Sequence, residues 1–374
     1  MPSFWGSKGR NDMSNAKTLS GAEITAEKTT MLKGIALILL MWHHLFGCGY
    51  IESWLSPFDG VEFVTGMSAL ICLTIFLFCS GFGLYKSYIS KENAKWSYIP
   101  QKIIRTLIPY WVVMLLTIIV LVILGKFEPK YILINLFAWF HDDRILYVSF
   151  SWYIKLYLLL LVITPLIRLI ELKWKKKHWT VDILIYIVLP FTVYYIFKGY
   201  SDEYRVTGFI TSAVSSILLV LYWLPLFSLG ILFAKYDVYG KVSRFFDRFS
   251  KWLVIVIAFL ICGNVLYMRF MFNFPSISDV LYGTLFIVSC LLISDRIKFK
   301  SKYVLPYLGK NSLFYWLLSG IFFFNTKELL PAITWPSIPV FMLIWVLLLL
   351  TPFVFACDWV SGKITGLIIR KKKD

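Results

Sequence analysis

Ten long apolar segments are the feature of this sequence that most constrains its fold. Most approach the ~20 residues that an α-helix needs to cross a bilayer. Only 16% of the 374 residues are charged, against roughly 25% in a soluble domain. We therefore expect an all-α polytopic membrane protein of about ten transmembrane helices. The segments lie at about 32–50, 64–86, 104–124, 150–170, 181–199, 213–234, 252–271, 277–293, 305–325 and 337–357.

The Lys and Arg residues alternate between the two sides of these segments. With a cytoplasmic N-terminus, 30 of the 38 fall on the cytoplasmic side and seven outside, while Lys155 lies within a span. Positive residues are enriched in cytoplasmic loops, so both termini are predicted to be cytoplasmic. The net charge of +17 is then topological and does not indicate nucleic-acid binding. The chain divides into a polar tail (1–30), a transmembrane domain (31–360) and a basic tail (361–374).

The sequence lacks the motifs of soluble active sites and of metal sites. It contains no Ser/His/Asp order, P-loop, GxGxxG or zinc signature. Its six cysteines fall inside apolar segments, where they are expected to act as small buried hydrophobes. We expect no metal, no bound cofactor and no disulfide framework. The first apolar segment has a basic flank, but its two histidines favour an uncleaved helix over a signal peptide.

The segment from Lys33 to His44 carries the strongest functional signal. In a helix, residues 11 apart lie about 20° from the same face and roughly 16 Å apart along the axis. Lys33 is therefore expected at one membrane surface and His44 well inside. Ionisable groups inside a span are costly and favour a functional interpretation. The alternative is that one of the two histidines, His43 or His44, only hydrogen-bonds a neighbouring helix.

Three further groups of residues are candidates, each with a structural alternative. Lys102 and Arg105 share a helix face and would bind phosphate or simply anchor the helix at the inner surface. Ser80 would orient a partner, although the adjacent Gly81 and Gly83 point to helix packing. Trp152 and Tyr153 suit an outer aromatic belt, and Lys155 would either snorkel outward or pair with a buried group.

One apolar stretch, at 131–140, is too short to span a bilayer. It is predicted to be an interfacial or re-entrant segment on the outer side. The charged cluster at 141–144 follows it. That cluster would form either a solvated loop, which we favour, or part of an outer acceptor site.

In their order and spacing these features resemble the membrane-bound acyltransferase 3 family, which includes bacterial O-acetylases of surface polysaccharides and of peptidoglycan. The family opens with Arg or Lys, ten residues, then His. The resemblance covers about residues 31–357. The matching motifs stand at Lys33 and His44, at Phe76–Phe82, at Lys102, Arg105 and Pro109, at Trp152–Ile154 with Pro165, and at Leu308–Ser312.

The resemblance implies an enzyme of the bacterial cytoplasmic membrane. It would move an acyl group, expected to be acetyl, from cytoplasmic acyl-CoA to a hydroxyl of a cell-surface polysaccharide or glycolipid. His44 would be the general base, since an imidazole with an unperturbed pKa of about 6.5 can take a hydroxyl proton. Lys33, Lys102 and Arg105 would bind the CoA phosphates, and Ser80, Trp152 and Lys155 would contact substrate.

The sequence also departs from the family pattern. Lys33 stands where Arg is commoner, Thr74 where an Asp often precedes the aromatic residues, and Ser319 where many members carry a late His. We expect no esterase-like domain to be appended to the spans. Two other interpretations stay open at this stage: a transporter or flippase for a lipid-linked sugar, and an inactive family member acting in a complex.

Overall fold

The computed structural model describes residues 23–47, 61–137, 147–148, 151–174, 178–203, 209–271, 277–297, 304–325 and 330–368. These residues form helices and connecting turns, with no strand among them. The helices are α1 (Ala26–Trp42), α2 (Val61–Ser68), α3 (Cys72–Leu84), α4 (Tyr98–Ile123), α5 (Ile132–Leu136), α6 (Trp152–Lys173), α7 (Trp179–Ile183), α8 (Leu189–Glu203), α9 (Phe209–Tyr236), α10 (Val238–Phe246), α11 (Lys251–Met271), α12 (Ile277–Arg296), α13 (Val304–Lys310), α14 (Ser312–Gly320), α15 (Leu330–Thr334) and α16 (Pro339–Ile368).

The described residues contain nine helical stretches long and apolar enough to cross a membrane. The predicted all-α polytopic membrane fold is therefore confirmed. The predicted span at 305–325 is not one continuous helix. It breaks at Asn311 into α13 and α14, and its apolar part is a shorter helix, Ser312–Phe323. The sequence signals for this break are Gly309 and Asn311, residue types that favour helix ends.

The spanning helices turn apolar side chains outward as well as inward. On α4, Leu115, Ile119 and Val122 are exposed, whereas Val113 and Thr117 are buried. An outward apolar face is what a lipid environment requires. Hydrophobic burial alone therefore does not position these helices, and close backbone packing contributes more than in a soluble bundle.

Glycines bring α3 and α9 into backbone contact. A Cβ atom on Gly81 would lie 1.9 Å from the carbonyl oxygen of Phe227, and one on Gly230 would lie 2.1 Å from that of Phe78. Neither position can hold a side chain without separating the helices. The predicted packing role of Gly81 is thus confirmed. The same prediction was wrong for Gly83, where a Cβ atom would meet none of the described residues within 4 Å.

A second close approach fixes α13 on α1, beside Lys33. A Cβ atom on Gly309 would lie 1.9 Å from the carbonyl oxygen of Thr30, and one on Gly34 would lie 2.2 Å from that of Leu305. Because α14 follows α13 after the single residue Asn311, this contact also determines where α14 begins relative to α1.

The short segment predicted at 131–140 packs against the interior of α4. The Tyr110 hydroxyl donates to the Asn135 carbonyl at 2.6 Å, and the Trp111 indole donates to the Leu136 carbonyl at 2.8 Å. The Asn135 side chain is fully buried and accepts from the Tyr147 amide at 3.0 Å. These contacts favour the re-entrant interpretation of α5. The cluster at 141–144 lies outside the described residues.

Buried charges tie α6, α7 and α9 together. Lys235 Nζ lies 2.7 Å from Glu171 Oε2 and 2.5 Å from Asp182 Oδ2. Tyr186 donates to Glu171 and Tyr236 donates to Asp182, each at 2.6 Å. Buried charges are tolerated when they are paired and hydrogen-bonded in this way. The network holds α6, which carries Trp152 and Lys155, in place on α9.

Candidate active site

The segment from Lys33 to His44 is one helix that ends in a π turn. α1 reaches Trp42, and His43–Gly47 forms the π turn. Such turns are frequent at functional sites. His44 exposes only 3% of its surface, and its Nδ1 lies 3.2 Å from the Ser319 hydroxyl on α14. The predicted base is therefore buried and has an identified hydrogen-bond partner.

His43 points to a different neighbour. Its Nδ1 lies 2.9 Å from the carbonyl oxygen of Gly66 on α2, and because a carbonyl only accepts, Nδ1 must donate. The two backbones are close here, since a Cβ atom on Gly66 would lie 2.5 Å from the Gly47 nitrogen. This bond joins the π turn to α2. The geometry supports a structural role for His43 and leaves His44 as the candidate base.

The hydrogen bonds of Ser319 select one tautomer of His44. The Ser319 hydroxyl donates to the Trp316 carbonyl at 2.7 Å. A serine hydroxyl has one hydrogen, so it accepts from His44 rather than donating to it. In the neutral imidazole the hydrogen is then on Nδ1 and the lone pair on Nε2. Ser319 orients His44 in the way that a general base requires.

Three cations lie together near the other end of α1. Lys33 on α1 and Lys102 on α4 are half-buried, and Arg105 is exposed. Lys102 experiences the positive charges of both Lys33 and Arg105. Within the described residues, no ion pair includes any of the three. Mutually repelling cations without a described counter-charge are suited to bind a multiply charged anion.

An aromatic cluster lies beside these groups. The Trp316 ring stacks on Tyr153 with 4.4 Å between ring centroids, and its centroid lies 5.2 Å from that of Phe76. Trp152 approaches Trp316 edge-on at 6.4 Å. Ser80 donates to the Phe76 carbonyl at 2.8 Å and lies beside the Tyr153 hydroxyl. Predicted site residues from α3 and α6 therefore meet α14 at one place.

Trp152 and Tyr153 do not form the outer aromatic belt that their position in the sequence suggested. Tyr153 is buried, and Trp152 packs on Trp223 of α9 at 5.9 Å. That prediction was wrong because Tyr153 packs among the other helices, next to Ser80, rather than facing outward. Lys155 exposes 6% of its surface, so it is a buried cation and does not snorkel outward.

These groups are arranged along the axis of α1. Cys79 Sγ on α3 lies 3.7 Å from the carbonyl oxygen of Thr29, which places Lys33 and Phe76 each about one turn further along their antiparallel helices. His44 lies roughly 16 Å beyond Lys33. Trp316, in contact with Phe76, is linked to His44 through Ser319. Lys33 and Phe76 therefore lie at a similar level, and Trp316 and Ser319 lead from there to His44.

A buried ion pair on the far side of His43 was missed by the sequence analysis. Arg269 on α11 binds both carboxylate oxygens of Asp279 on α12, at 2.9 and 3.1 Å, and donates to the Met67 carbonyl at 2.8 Å. Both side chains are buried. The available signal was a charged residue near the end of each of two successive apolar segments. The pair fixes α2, and with it the neighbours of the π turn.

Comparison with known proteins identifies the family of the chain. No curated protein and no solved structure matches the chain. The acyltransferase 3 family model, described as an acyltransferase domain, matches residues 30–360, a range that contains the cations, the aromatic cluster and His44. The protein is therefore a multi-pass membrane acyltransferase of groups other than amino-acyl groups, and it belongs to the acyltransferase 3 family.

Proposed function

We propose that the protein transfers an acetyl group from cytoplasmic acyl-CoA to a hydroxyl of a cell-surface polysaccharide or glycolipid, in the cytoplasmic membrane of a bacterium. The observation that carries this proposal is the contact between His44 Nδ1 and Ser319. It orients a buried imidazole as a base inside the membrane domain of an acyltransferase. In this proposal the end of α1 that carries Lys33 faces the cytoplasm.

The three cations would bind the donor through its phosphates. Lys33, Lys102 and Arg105 come from two helices and have no described counter-charge, so phosphate oxygens would relieve their mutual repulsion. Arg105 can form a bidentate contact, whereas Lys33 and Lys102 act as point charges. With the phosphates held there, the thioester would extend past the aromatic cluster toward His44.

The proposed reaction is a direct transfer. His44 Nε2 removes the proton of the acceptor hydroxyl while its oxygen attacks the thioester carbonyl carbon. The carbon–sulfur bond then breaks, the ester forms, and the imidazolium returns its proton to the CoA thiolate. Atoms and charges balance, and His44 ends neutral. The Ser319 oxygen accepts from Nδ1–H throughout and stabilises the transient positive charge.

The test uses purified protein in lipid nanodiscs with labelled acetyl-CoA and a candidate glycan acceptor. His44→Ala should abolish label transfer while the protein still inserts and accumulates. His178→Asn is the matched control, because His178 is exposed and its side chain caps α7, a role that Asn can also fill. Transfer retained in the His44 variant would reject His44 as the base.

A transporter is the competing function, and family membership favours the enzyme. Acyl-CoA hydrolysis without acceptor separates the two. An acyltransferase should release CoA slowly in a His44-dependent manner, whereas a transporter should move a lipid-linked sugar between leaflets and leave acyl-CoA intact.

A further inference from the structure

Trp316 is a buried hydrogen-bond donor for which the described residues supply no acceptor. It exposes 3% of its surface, and its indole Nε1–H has no hydrogen-bond acceptor within the described part of the chain. Two other indoles have acceptors. Trp111 donates to the Leu136 carbonyl and Trp345 to the Ala332 carbonyl, each at 2.8 Å. A buried donor left unpaired is costly and requires an explanation.

The aromatic neighbours do not supply this acceptor. Trp316 stacks on Tyr153 with an angle of 28° between the ring planes, so its N–H, which lies in the ring plane, does not point at the Tyr153 face. The Phe76 ring is tilted by 39° at 5.2 Å and contains no oxygen or nitrogen. Trp152 offers only another N–H donor. The ring is therefore held firmly, while its one polar atom is unused.

The position of Trp316 connects this donor to the proposed reaction. Its own carbonyl accepts the Ser319 hydroxyl, and Ser319 in turn accepts from His44. Residues three apart lie on one helix face, so the indole and the Ser319 side chain leave α14 on the same side. A thioester reaching from the cations to His44 passes this face.

We propose that the Trp316 indole N–H binds the carbonyl oxygen of the acyl thioester and that Phe76, Trp152 and Tyr153 enclose the acyl group. The inference rests on the function proposed above. As the acceptor oxygen attacks, the carbonyl oxygen gains negative charge, and the indole N–H stabilises it. When the carbon–sulfur bond breaks, that charge leaves on sulfur and is neutralised by the proton from His44. Trp316 is thus a catalytic residue that holds the reacting carbonyl.

The test is a cycle that removes the indole N–H of Trp316 and the carbonyl oxygen of the ligand separately. Acetyl-CoA and S-ethyl-CoA are nearly the same size, but only acetyl-CoA has the carbonyl oxygen. Binding of each is measured by titration calorimetry on wild type and Trp316→Phe in nanodiscs. Wild type should prefer acetyl-CoA by about 2- to 10-fold, which is the contribution of one neutral hydrogen bond. Trp316→Phe should lose this preference, while S-ethyl-CoA affinity stays within twofold.

Catalysis supplies the second readout. Trp316→Phe should lower kcat by about 10²–10³, the cost of losing one donor to a developing oxyanion. Trp345→Phe is the matched control, since it removes an indole that already has a partner, and it should retain wild-type kcat. Full acetyl-CoA preference or near-normal kcat in Trp316→Phe would overturn the inference.

Two outcomes separate this inference from the function on which it rests. If wild type binds neither ligand, the acyl-CoA proposal itself fails. If wild type binds both equally, the proposal that acyl-CoA supplies the acyl group stands, and the role of Trp316 is rejected. Should Trp316→Phe fail to fold, infrared spectra of ¹³C-acetyl-CoA on wild type decide. A hydrogen-bonded carbonyl absorbs at a lower frequency, and an unshifted band would overturn the inference.

Discussion

Ser319→Ala is the substitution that tests the orientation of His44 most directly. It removes the oxygen 3.2 Å from His44 Nδ1 and leaves the N–H buried. Leaving a buried donor unsatisfied costs about 1–3 kcal/mol. In the transition state the imidazole becomes charged, and its hydrogen bond to Ser319 strengthens. If about 1–2 kcal/mol of the loss falls on the transition state, kcat should fall roughly 5- to 30-fold.

The assay is single-turnover transfer of labelled acetyl from acetyl-CoA in nanodiscs, with KM for acetyl-CoA measured alongside. KM should stay near the wild-type value, because Ser319 contacts the base and not the cations. Thr164→Val is the matched control. It removes a fully buried hydroxyl that bonds the Leu160 carbonyl at 2.7 Å within α6.

Two results would refute the reasoning. A kcat within twofold of wild type would mean that Ser319 does not orient His44 during the reaction. An equal loss in Ser319→Ala and Thr164→Val would mean that the effect is general loosening of the bundle. Ser319→His, which restores the residue common in the family, should recover activity if this position serves only to hold the base.

Three further predictions concern the donor site and the fold. Arg105→Ala should raise KM for acyl-CoA about tenfold with an unchanged melting curve, and an unchanged KM would exclude the phosphate role. Asp279→Leu should lower stability by about 3–5 kcal/mol, because it leaves Arg269 buried and unpaired. A detergent melting curve that does not shift would contradict this. Gly81→Ala should prevent accumulation of folded protein, since its Cβ would lie 1.9 Å from a carbonyl oxygen of α9, whereas Gly83→Ala should accumulate normally.

The sequence was sufficient for the membrane fold because hydropathy and the cost of exposed backbone in lipid leave few options. The same argument does not determine how deeply a given residue lies inside the helix bundle. Trp152 and Tyr153 are residue types found at membrane surfaces, yet they pack against Trp316 of α14, and no local pattern in the sequence reports such a contact. The break at Asn311 was missed because both sides of it are apolar.

The site was predictable where it depends on spacing and unpredictable where it depends on contact. Lys33 and His44 follow from a helical repeat and from the family pattern, and the structure places both on one helical stretch with His44 buried. Ser319 stands where many family members carry a His, and the structure makes it the partner of His44. Serine is common in membrane helices. What distinguishes Ser319 is its hydrogen bond to His44, a residue 275 positions away in the sequence.

The contact between Gly309 and Thr30 fixes one end of the chain segment that carries Ser319. At that end the backbones of α13 and α1 touch, and at the other end Ser319 contacts His44. An extra residue between these two contacts would turn Ser319 by about 100° and move it about 1.5 Å, which would carry its hydroxyl away from the imidazole. The number of residues from Gly309 to Ser319 is therefore constrained more tightly than the identity of most side chains between them.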